Sequence, residues 1–546
     1  MLQAIVHPEP APTAHADTFA RDHLPPRELW PEIDLSGVPA LAGRARINAA
    51  AELVDARVAA GDGDRTALVF AGGRWTYAEL MEKANRIAGV LRDELGLVPG
   101  NRVLLRGFNS PMTAAAWFGV LKAGGIVVAT MPLLRSREIT MLLDRARIRF
   151  AFCDARLMDE MPAHAPPLER TVVFGAEGDD SLEARMARQP ATFANVETSA
   201  EDVALLAFTS GTTGQPKGAM HFHRDLLASA DTFSAHVLRP GPDDLFCGSP
   251  PLAFTFGLGG YLLFPMRAGA ATLLLEQAAP PQLLQGIQDH RATIVFTAPT
   301  AYRAMSGLVR DFDISSLKKC VSAGETLPLA TFEAWREATG LRIIDGIGST
   351  EMLHIFISAA DDDIRPGSTG RPVPGYSATL LGDDGQPVAP GELGRLAVRG
   401  PTGCRYLDDD ERQAKYVENG WNITGDAYKM DEDGYFWFQA RNDDMIISSG
   451  YNIAGPEVEN ALLEHPSVLE CACVAAPDEE RGHVVKAFVV LRDGCAPGDE
   501  TAKALQEFVK QQIAPYKYPR RVEFVDSLPR TATGKLQRFR LRNPAP

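Results

Sequence analysis

Short apolar runs alternate with stretches of helical periodicity from about residue 65 to residue 350. In one example, the apolar run 293–297 is followed by Pro299, which suits the first turn of a helix, and then by a second apolar run at 319–322. Strands that alternate with helices in this way are typical of a parallel sheet covered by helices. The pattern therefore predicts an α/β core with mixed, mostly parallel sheets.

The longest apolar stretch, 112–134, is interrupted by Lys122, by two glycines and by Pro132. A membrane-spanning helix needs about 20 consecutive apolar residues. The stretch therefore predicts a core helix followed by a buried strand, and no membrane span is expected. Residues 1–20 have no basic region before their short apolar run, so they do not resemble a signal peptide.

The pattern changes twice in the C-terminal half of the chain. Residues 375–440 contain apolar runs separated by Asp-Gly and Pro-Gly pairs, which predicts a β-rich subdomain. A polar segment then precedes a unit of about 100 residues, a common size for a small domain. We expect a large N-terminal domain over 1–442 and a small, mobile α+β C-terminal domain over 443–546, with the boundary at Asp443.

Composition narrows the possible function classes. The chain has 546 residues, of which 45% are hydrophobic and 23% charged, so it contains enough apolar material for more than one core. Its net charge of −15 disfavours a nucleic-acid surface, which needs clustered cations to neutralise phosphates. The seven cysteines form no Cys-x-x-Cys pair. Neither a disulfide framework nor a zinc site is indicated, and a reducing cytoplasm is the expected compartment.

A Gly-rich loop carries the strongest chemical signal. It follows the strand candidate 203–208 and precedes a helical pattern that includes Phe222. Glycines let a backbone approach a polyphosphate closely, hydroxyl groups donate hydrogen bonds to it, and a lysine adds positive charge. A strand, this loop and a helix therefore predict an anion cradle, although Pro216 excludes a Walker A register. The residues expected to contact phosphate are Thr209, Ser210, Gly211, Thr212, Thr213, Gly214 and Lys217.

Six further motifs follow the loop. In chain order they are Ser322-Ala-Gly-Glu325, Gly346-Ile-Gly-Ser-Thr-Glu351, Thr424-Gly-Asp426, Arg441 with Asp443, Ser448-Ser-Gly450 and Pro529-Arg-Thr-Ala-Thr-Gly-Lys535. Together with the loop, this series resembles the adenylate-forming superfamily of acyl-CoA ligases, luciferases and peptide-synthetase adenylation domains. The resemblance implies that ATP converts a carboxylate into an acyl-adenylate with release of pyrophosphate. The thiol of coenzyme A then takes the acyl group and releases AMP.

The resemblance assigns three residues to catalysis. Glu351 would bind Mg²⁺, which prefers few protein ligands together with the oxygens of its nucleotide. Thr350 would donate a hydrogen bond to the α-phosphate. Lys535 would contact both the reacting carboxylate and the α-phosphate, where a cation offsets the repulsion between two anions in the transition state.

The remaining nucleotide contacts are implied in the same way. Asp426 would accept hydrogen bonds from both ribose hydroxyls, and Arg441 would fix the same sugar. The adenine would lie between the side chain of Ile347 and the backbone of the segment 323–325. The predicted nucleotide site is completed by Ala323, Gly324, Glu325, Asp345 and Gly346.

The resemblance also implies that the C-terminal domain moves between the two half-reactions. Asp443 is the predicted hinge, because a polar break between domains can absorb a backbone rotation. In the second pose Gly450 would line the tunnel for the pantetheine arm of coenzyme A, and Phe254 would gate that tunnel.

A finer resemblance concerns the acid. The stretch 345–356 is similar to that of benzoate- and 2-aminobenzoate-CoA ligases, and so is the stretch 254–259. It implies a flat pocket in which aromatic faces contact a planar ring and glycines leave room for it. A helix after Glu351 would turn His354 towards that ring, and a core histidine is the equal alternative. The predicted pocket consists of Phe254, Phe256, Gly257, Gly348 and His354, with Gly346 beside them.

Several alternatives stay open from the sequence. The chain could load a carrier protein instead of coenzyme A, activate another small or medium-chain acid, or act as an oxygenase like luciferase. A non-catalytic nucleotide-binding protein would have lost Glu351, Asp426 or Lys535, all of which are present. The expected ligands are an aromatic carboxylate, ATP, Mg²⁺ and coenzyme A, with no nucleic-acid or membrane partner. Both a monomer and a homodimer are compatible with the sequence.

Overall fold

The computed structural model describes residues 12–162, 165–209, 216–441, 445–448, 451–478, 482–513, 515–530 and 536–542. Their buried apolar side chains form several clusters, of which the largest joins the two big sheets and the helices between them. A separate cluster around Ile446, Val458 and Val485 lies in the C-terminal part. A small independent core is what the proposed C-terminal domain needs, although the proposed boundary at Asp443 lies outside the described residues.

The N-terminal part begins with short elements and then builds a parallel sheet. The short α1 (Phe19–Asp22) and the hairpin of β1 (Thr66–Phe70) and β2 (Gly73–Thr76) precede α2 (Tyr77–Gly89). The following strands are β3 (Arg102–Arg106), β4 (Ile126–Thr130), β5 (Phe150–Asp154), β6 (Arg170–Phe174) and β7 (Val203–Thr209), connected through α3 (Pro111–Lys122), α4 (Ser136–Arg145) and α5 (Leu182–Arg188). They pair in parallel in the order β6-β5-β3-β4-β7. The stretch 112–134 forms α3 and β4, as predicted.

The chain departs from the predicted order of strand, loop and helix after β7. A further strand, β8 (Lys217–Phe222), pairs antiparallel with β7, and α6 (His223–Ser229) starts only after it. Phe222 therefore ends a strand instead of belonging to the helix. Almost every residue of β8 is buried, and a short, fully buried apolar run does not reveal whether it is a strand or a helix.

The second large sheet has nine strands. Its new members are β9 (Leu245–Gly248), β10 (Ala271–Leu273), β11 (Ile294–Thr297), β12 (Lys319–Ser322), β13 (Ile343–Gly348), β14 (Ile355–Ser358) and β15 (Arg371–Pro372). The order is β15-β14-β13-β12-β11-β9-β10-β1-β2, parallel from β13 to β1 and antiparallel at both edges. The connecting helices are α7 (Thr255–Leu258), α8 (Phe264–Ala268), α9 (Pro280–His290), α10 (Pro299–Ser306) and α11 (Leu329–Thr339). The predicted α/β class with mixed, mostly parallel sheets is confirmed.

An antiparallel sheet forms the predicted β-rich subdomain. It contains β16 (Ser377–Leu381), β17 (Leu393–Arg399), β18 (Val417–Glu418), β19 (Trp421–Met430) and β20 (Phe436–Arg441), with α12 (Asp410–Tyr416) before β18. The Thr-Gly-Asp motif lies inside β19. Gly425 has a φ of +79° there, and the register with β17 shifts beside it. Glycine adopts this conformation at little cost, so the motif forms an irregularity in a strand.

The C-terminal part has its own small sheets and helices. Its elements are β21 (Ile446–Ser448), β22 (Tyr451–Ile453), α13 (Gly455–Leu463), β23 (Val468–Asp478), β24 (Gly482–Leu491), α14 (Asp499–Gln512), β25 (Arg521–Phe524) and α15 (Arg538–Arg542). Pro456 lies in the first turn of α13, where its fixed φ angle suits a helix start. Across the described ranges, every helix is too short or too polar to cross a lipid bilayer.

Candidate active site

Two of the motifs predicted to bind the nucleotide meet at the carboxyl ends of neighbouring parallel strands. The segment 323–325 directly follows β12, and Asp345 lies on β13 as the register partner of Ser322. Parallel strands present their carboxyl ends at one edge of a sheet, which is where open α/β sheets bind ligands. The structure therefore brings together six residues predicted to bind the nucleotide, namely Ala323, Gly324, Glu325, Asp345, Gly346 and Ile347.

The ends of the Gly-rich loop are fixed by a hairpin. Thr209 and Lys217 are register partners on β7 and β8. The hairpin holds the lysine opposite the threonine hydroxyl on either side of the loop, as an anion cradle requires. The other predicted phosphate contacts, Ser210, Gly211, Thr212, Thr213 and Gly214, lie outside the described residues.

Thr350 and Glu351 lie in the turn between β13 and β14, and two side chains hold them. His221 on β8 donates from Nε2 to the Thr350 carbonyl oxygen at 2.7 Å, and the Tyr406 hydroxyl donates to Glu351 Oε1 at 2.7 Å. Burial lowers the pKa of His221, so the donor is a neutral imidazole with its proton on Nε2. The turn is thus tied to the hairpin of β7 and β8 and oriented by the protein itself.

Glu351 fits the role of a magnesium ligand. Its Oε1 is held by Tyr406, whereas Oε2 makes no hydrogen bond within the described ranges. The described residues contain no group of three or more His, Cys, Asp or Glu side chains that could hold a metal. Mg²⁺ often takes one or two carboxylates and completes its shell with substrate phosphates and water. A single oriented carboxylate close to the predicted phosphate loop meets that requirement.

A buried ion pair lies beside His221. Asp225 Oδ2 is 3.9 Å from His221 Nδ1 and 3.2 Å from Arg405 Nη1, and both partners of the ion pair are fully buried. The Arg405 guanidinium also lies over the Phe222 ring, with Cζ 4.1 Å from the centroid. Removing one partner would leave an uncompensated buried charge. The pair therefore fixes α6, which directly follows β8, against the segment that supplies Tyr406.

The predicted ribose residues form an ion pair across two strands. Asp426 on β19 and Arg441 on β20 are register partners, and Nη1 of Arg441 lies 3.1 Å from Oδ1 of Asp426. The Asp426 side chain is 9% exposed and that of Arg441 is 52% exposed. Burial raises the pKa of Asp426, and Arg441 opposes that rise. Arg441 thus stabilises the ionised carboxylate that would accept two hydroxyl donors.

Asp345 is a perturbed carboxyl group among the nucleotide motifs. Burial raises its pKa to about 7. Its backbone carbonyl accepts a hydrogen bond from Ser358 Oγ at 2.6 Å, which ties β13 to β14. Carboxyl groups shifted towards neutral pH are enriched at functional sites, which supports the placement of Asp345 in the nucleotide site.

His354 lies in an aromatic cluster, and the prediction of a helix after Glu351 is wrong. Leu353 has a φ of +72° in the turn, and His354 leads directly into β14. The chain reverses there because β14 must pair antiparallel with β13. The imidazole is 3% exposed. Four phenylalanine ring centroids surround it, those of Phe264, Phe233, Phe256 and Phe296, at 4.5, 5.6, 5.7 and 6.3 Å.

The glycines of the predicted acid pocket allow close contacts within the protein. A Cβ on Gly257 would lie 2.2 Å from the carbonyl oxygen of Pro251, and one on Gly348 would lie 2.7 Å from that of His354. A Cβ on Gly346 would lie 2.7 Å from Cγ2 of Ile355 on β14. The expectation that these glycines leave room for a ring is therefore corrected, because protein atoms fill that space. Their place along the pocket stays a prediction.

An ion pair brings the C-terminal part to this site. Arg530 Nη1 lies 3.5 Å from Glu325 Oε1. Arg530 also forms an antiparallel bridge with Leu536, so the two flanks of the Lys535 motif are held together. Lys535, Gly450 and the hinge residue Asp443 lie outside the described residues. Phe254 precedes α7 and is half-buried, and its role as a gate stays a prediction.

The sequence did not reveal His221, Tyr406 or their supporting ion pair. Their hydrogen bonds to Thr350 and Glu351 join residues 129 and 55 positions apart. The local signal was a histidine within the buried, mostly apolar run 218–222. Such a residue predicts a partnered polar group, but the partner itself is set by the fold.

Family models match most of the chain. The model of the AMP-binding enzyme family matches residues 55–405, and the model of the AMP-binding enzyme C-terminal domain matches residues 457–535. The proposed boundary at Asp443 falls between the two segments. Among curated proteins, the benzoate–CoA ligase of Thauera aromatica is 37% identical over 517 residues, which cover 92% of this chain and 97% of that protein.

Solved structures share the fold. The crystal structure of the anthranilate CoA ligase AuaEII in complex with anthranoyl-AMP has a TM-score of 0.86 and 37% identity, covering 91% of this chain and 97% of that one. ATP-bound MatB from Rhodopseudomonas palustris has a TM-score of 0.84 and 28% identity, covering 91% and 98%. The predicted superfamily is confirmed, and so is its use of ATP, Mg²⁺ and coenzyme A. The chain belongs to the family of AMP-binding enzymes.

Proposed function

We propose that the chain is an AMP-forming CoA ligase for an aromatic acid, with 2-aminobenzoate as the preferred substrate and benzoate as the second. The acid carboxylate attacks the α-phosphorus of ATP and pyrophosphate leaves. The thiol of coenzyme A then attacks the acyl carbon, AMP leaves, and the thiol proton passes to solvent. The products are the aryl-CoA thioester, AMP and pyrophosphate.

Both the comparisons and the geometry of the site support the reaction class. The family match, the benzoate–CoA ligase relative and the complex of a related ligase with anthranoyl-AMP all support an AMP-forming ligase that joins an acid to coenzyme A. The site supports the same class, because Glu351, Asp426 and the two ends of the phosphate loop are held as adenylation requires.

One observation carries the choice of acid. Nδ1 of the buried His354 has no hydrogen-bond partner among the described residues, while Nε2 donates to the Phe256 carbonyl oxygen at 3.4 Å. Burial lowers the pKa of His354 to about 3, so Nδ1 keeps a lone pair at neutral pH. An unpaired buried acceptor costs about 1–3 kcal/mol. The amino group of 2-aminobenzoate is a donor that can recover this loss, whereas benzoate has none.

Each residue of the proposed site has a separate role in adenylation. Bound Mg²⁺ supplies positive charge to the phosphates of ATP, and Glu351 would hold it, with the carboxylate oriented by Tyr406. Asp426 and Arg441 bind the ribose, and Lys217 adds charge beside the phosphate loop. In our proposal the ammonium group of Lys535 offsets the repulsion between the acid carboxylate and the α-phosphate as the two anions approach each other.

A panel of acids tests the proposal. We expect kcat/KM to fall from 2-aminobenzoate to benzoate and further to acetate, hexanoate and palmitate, because small acids leave apolar surface unfilled and long chains exceed a short pocket. His354→Ala should lower the ratio of kcat/KM for 2-aminobenzoate to that for benzoate by about tenfold, on the scale of one buried hydrogen bond. This ratio should be constant from about pH 6 to about pH 9, because the imidazole stays neutral.

The ratio of the two kcat/KM values distinguishes a loss of substrate recognition from general damage to the aromatic cluster around His354. A cavity left by His354→Ala would slow both aromatic acids together, and Phe264→Leu is a control that alters the cluster without touching the acceptor. An aliphatic acid that is used tenfold better than either aromatic acid would refute the aryl assignment. An unchanged ratio in His354→Ala would make His354 a core residue. Thioester formation with a carrier protein but not with coenzyme A would favour the alternative thiol.

The hinge is a separate proposal. Asp443→Pro should remove backbone freedom at the domain boundary, so that one half-reaction falls by about tenfold or more relative to the other. Asp443→Ala keeps the backbone free and should leave the balance unchanged. The two half-reactions are measured separately, as acid-dependent ATP–pyrophosphate exchange and as consumption of a supplied acyl-adenylate with coenzyme A. A proline variant with both rates normal would contradict the hinge.

A further inference from the structure

Four charged side chains form a chain of ion pairs that crosses twice between the N-terminal and C-terminal parts. Arg303 on α10 lies 3.5 Å from Glu470 on β23, measured from Nη2 to Oε1. The other oxygen of Glu470 lies 3.3 Å from Nη2 of Arg530. Nη1 of Arg530 then lies 3.5 Å from Oε1 of Glu325. The order is Arg303, Glu470, Arg530 and Glu325, with alternating charge.

The series of ion pairs ends at the proposed adenylation site. Glu325 belongs to the segment that follows β12 at the carboxyl edge of the sheet. Arg530 is the residue immediately before the segment 531–535, and its bridge with Leu536 closes the base of that segment. The ion pairs therefore fix the base of the Lys535 motif beside the nucleotide segment.

We propose that Arg303 and Glu470 are positioning residues that hold the C-terminal part in the pose for adenylation. Neither residue belongs to the motifs assigned to nucleotide, acid or metal. Glu470 acts through Arg530, which it orients towards Glu325, and Arg303 anchors Glu470 to the N-terminal part. This inference rests on the proposed two-step reaction, in which the same C-terminal part must later leave this pose.

The exposure of the four side chains suits a reversible contact. Arg303, Glu470, Arg530 and Glu325 are 33%, 28%, 29% and 17% exposed. Fully buried ion pairs are costly to break, because each partner is left as an uncompensated charge. The charged groups of partly exposed ion pairs regain water when the pairs separate, so each pair contributes little to the stability of the pose. Ion pairs that share a side chain lose less conformational entropy per contact, because that side chain is ordered only once. The chain of ion pairs can therefore favour one pose without locking it.

Glutamine substitutions test the proposal. Arg303→Gln removes the anchor of Glu470, and Glu470→Gln removes two ion pairs. We expect the ratio of the adenylation rate to the thioester-forming rate to fall by about threefold in Arg303→Gln and by up to about tenfold in Glu470→Gln, as expected for weak surface ion pairs acting together. The double variant should resemble Glu470→Gln, because Arg303 acts through that residue.

Arg395→Gln is a matched control. Arg395 pairs with Glu418 at 3.0 Å, with 30% and 37% exposure, but both residues lie in the β-rich subdomain. The same loss of one half-exposed ion pair should then leave the ratio unchanged. Unchanged ratios in Arg303→Gln and Glu470→Gln, or an equal change in Arg395→Gln, would overturn the proposal.

A second measurement does not depend on the acid. Fluorophores attached through unnatural amino acids at the exposed positions 133 and 539 would report the distance between the two parts by energy transfer. Without substrates, we expect Glu470→Gln to broaden the distance distribution. Raising the salt concentration should broaden that of the unmodified chain, because salt screens half-exposed charges. A distribution that responds to neither change would refute the positioning role. If the proposed acid is wrong but the positioning role is right, the panel of acids will not show the expected order of kcat/KM. The distance distribution will still broaden in Glu470→Gln and at high salt.

Discussion

Lys535→Ala is expected to lower the rate of ATP-dependent adenylation by about 100-fold or more, while thioester formation from a supplied acyl-adenylate stays nearly unchanged. Loss of one electrostatic contact to a transition state typically costs about 10²–10³-fold in rate. The cation is needed where the acid carboxylate approaches the α-phosphate, and this meeting of two anions does not occur when a thiol attacks the finished adenylate. Acid-dependent ATP–pyrophosphate exchange measures the first step, and release of AMP from synthetic aryl-adenylate with coenzyme A measures the second.

Lys510→Ala is the control for this experiment. Lys510 lies on α14 and pairs with Glu507 at 2.6 Å, and its side chain is 31% exposed. It has no assigned role, so both rates should match those of the unmodified chain. An equal loss of both half-reactions in Lys535→Ala would contradict the assignment, because it would place the lysine in folding or in a step common to both.

Glu351→Gln is expected to have the second large effect. It removes the negative charge that would hold Mg²⁺ but keeps the size of the side chain. We expect adenylation to fall by about 100-fold at low Mg²⁺ and to recover in part as Mg²⁺ is raised, because metal affinity depends on ligand charge. Binding of the magnesium–ATP complex, measured by calorimetry, should weaken in parallel. A variant with unchanged Mg²⁺ dependence would exclude Glu351 as the ligand.

Tyr406→Phe should reproduce this effect at smaller size. The hydroxyl donates to Glu351 Oε1 at 2.7 Å, and partners that orient a metal ligand typically affect metal affinity or activity by about 10–100-fold. Tyr77→Phe is a control, because its buried hydroxyl donates to the Ala270 carbonyl oxygen at 2.7 Å in another part of the N-terminal domain. Both variants lose one buried hydrogen bond, so a raised Mg²⁺ requirement in Tyr406→Phe alone would assign the effect to orientation of Glu351.

The chemical groups of the site could be predicted from the sequence because they lie in short motifs. The segments 322–325 and 346–351 each combine glycine with polar residues at the end of a strand, and the structure places both at one sheet edge. The orientation of these groups could not be predicted. The hydrogen bond that holds Thr350 comes from a residue 129 positions earlier, and no local pattern encodes such a pairing.

The errors in the prediction have the same origin. The run that ends at Phe222 is mostly apolar and buried, so its pattern fits either a helix or a strand, and pairing with β7 made it a strand. The spacing of Glu351 and His354 fits one face of a helix, but the pairing of β13 with β14 forces a turn. In both places tertiary pairing overrode a weak local preference.

The alternation of strands and helices, the order of the motifs and the chemical identity of the groups could be read from the amino-acid sequence, because these depend on local periodicity and residue type. Which groups meet, and in which protonation state, depends on the folded arrangement of the chain. Asp426 meets Arg441 through the register of two strands. His354 is a neutral acceptor because four aromatic rings exclude water from it, which lowers its pKa to about 3. Burial and register arise from contacts between distant residues, and those contacts form only when the chain folds.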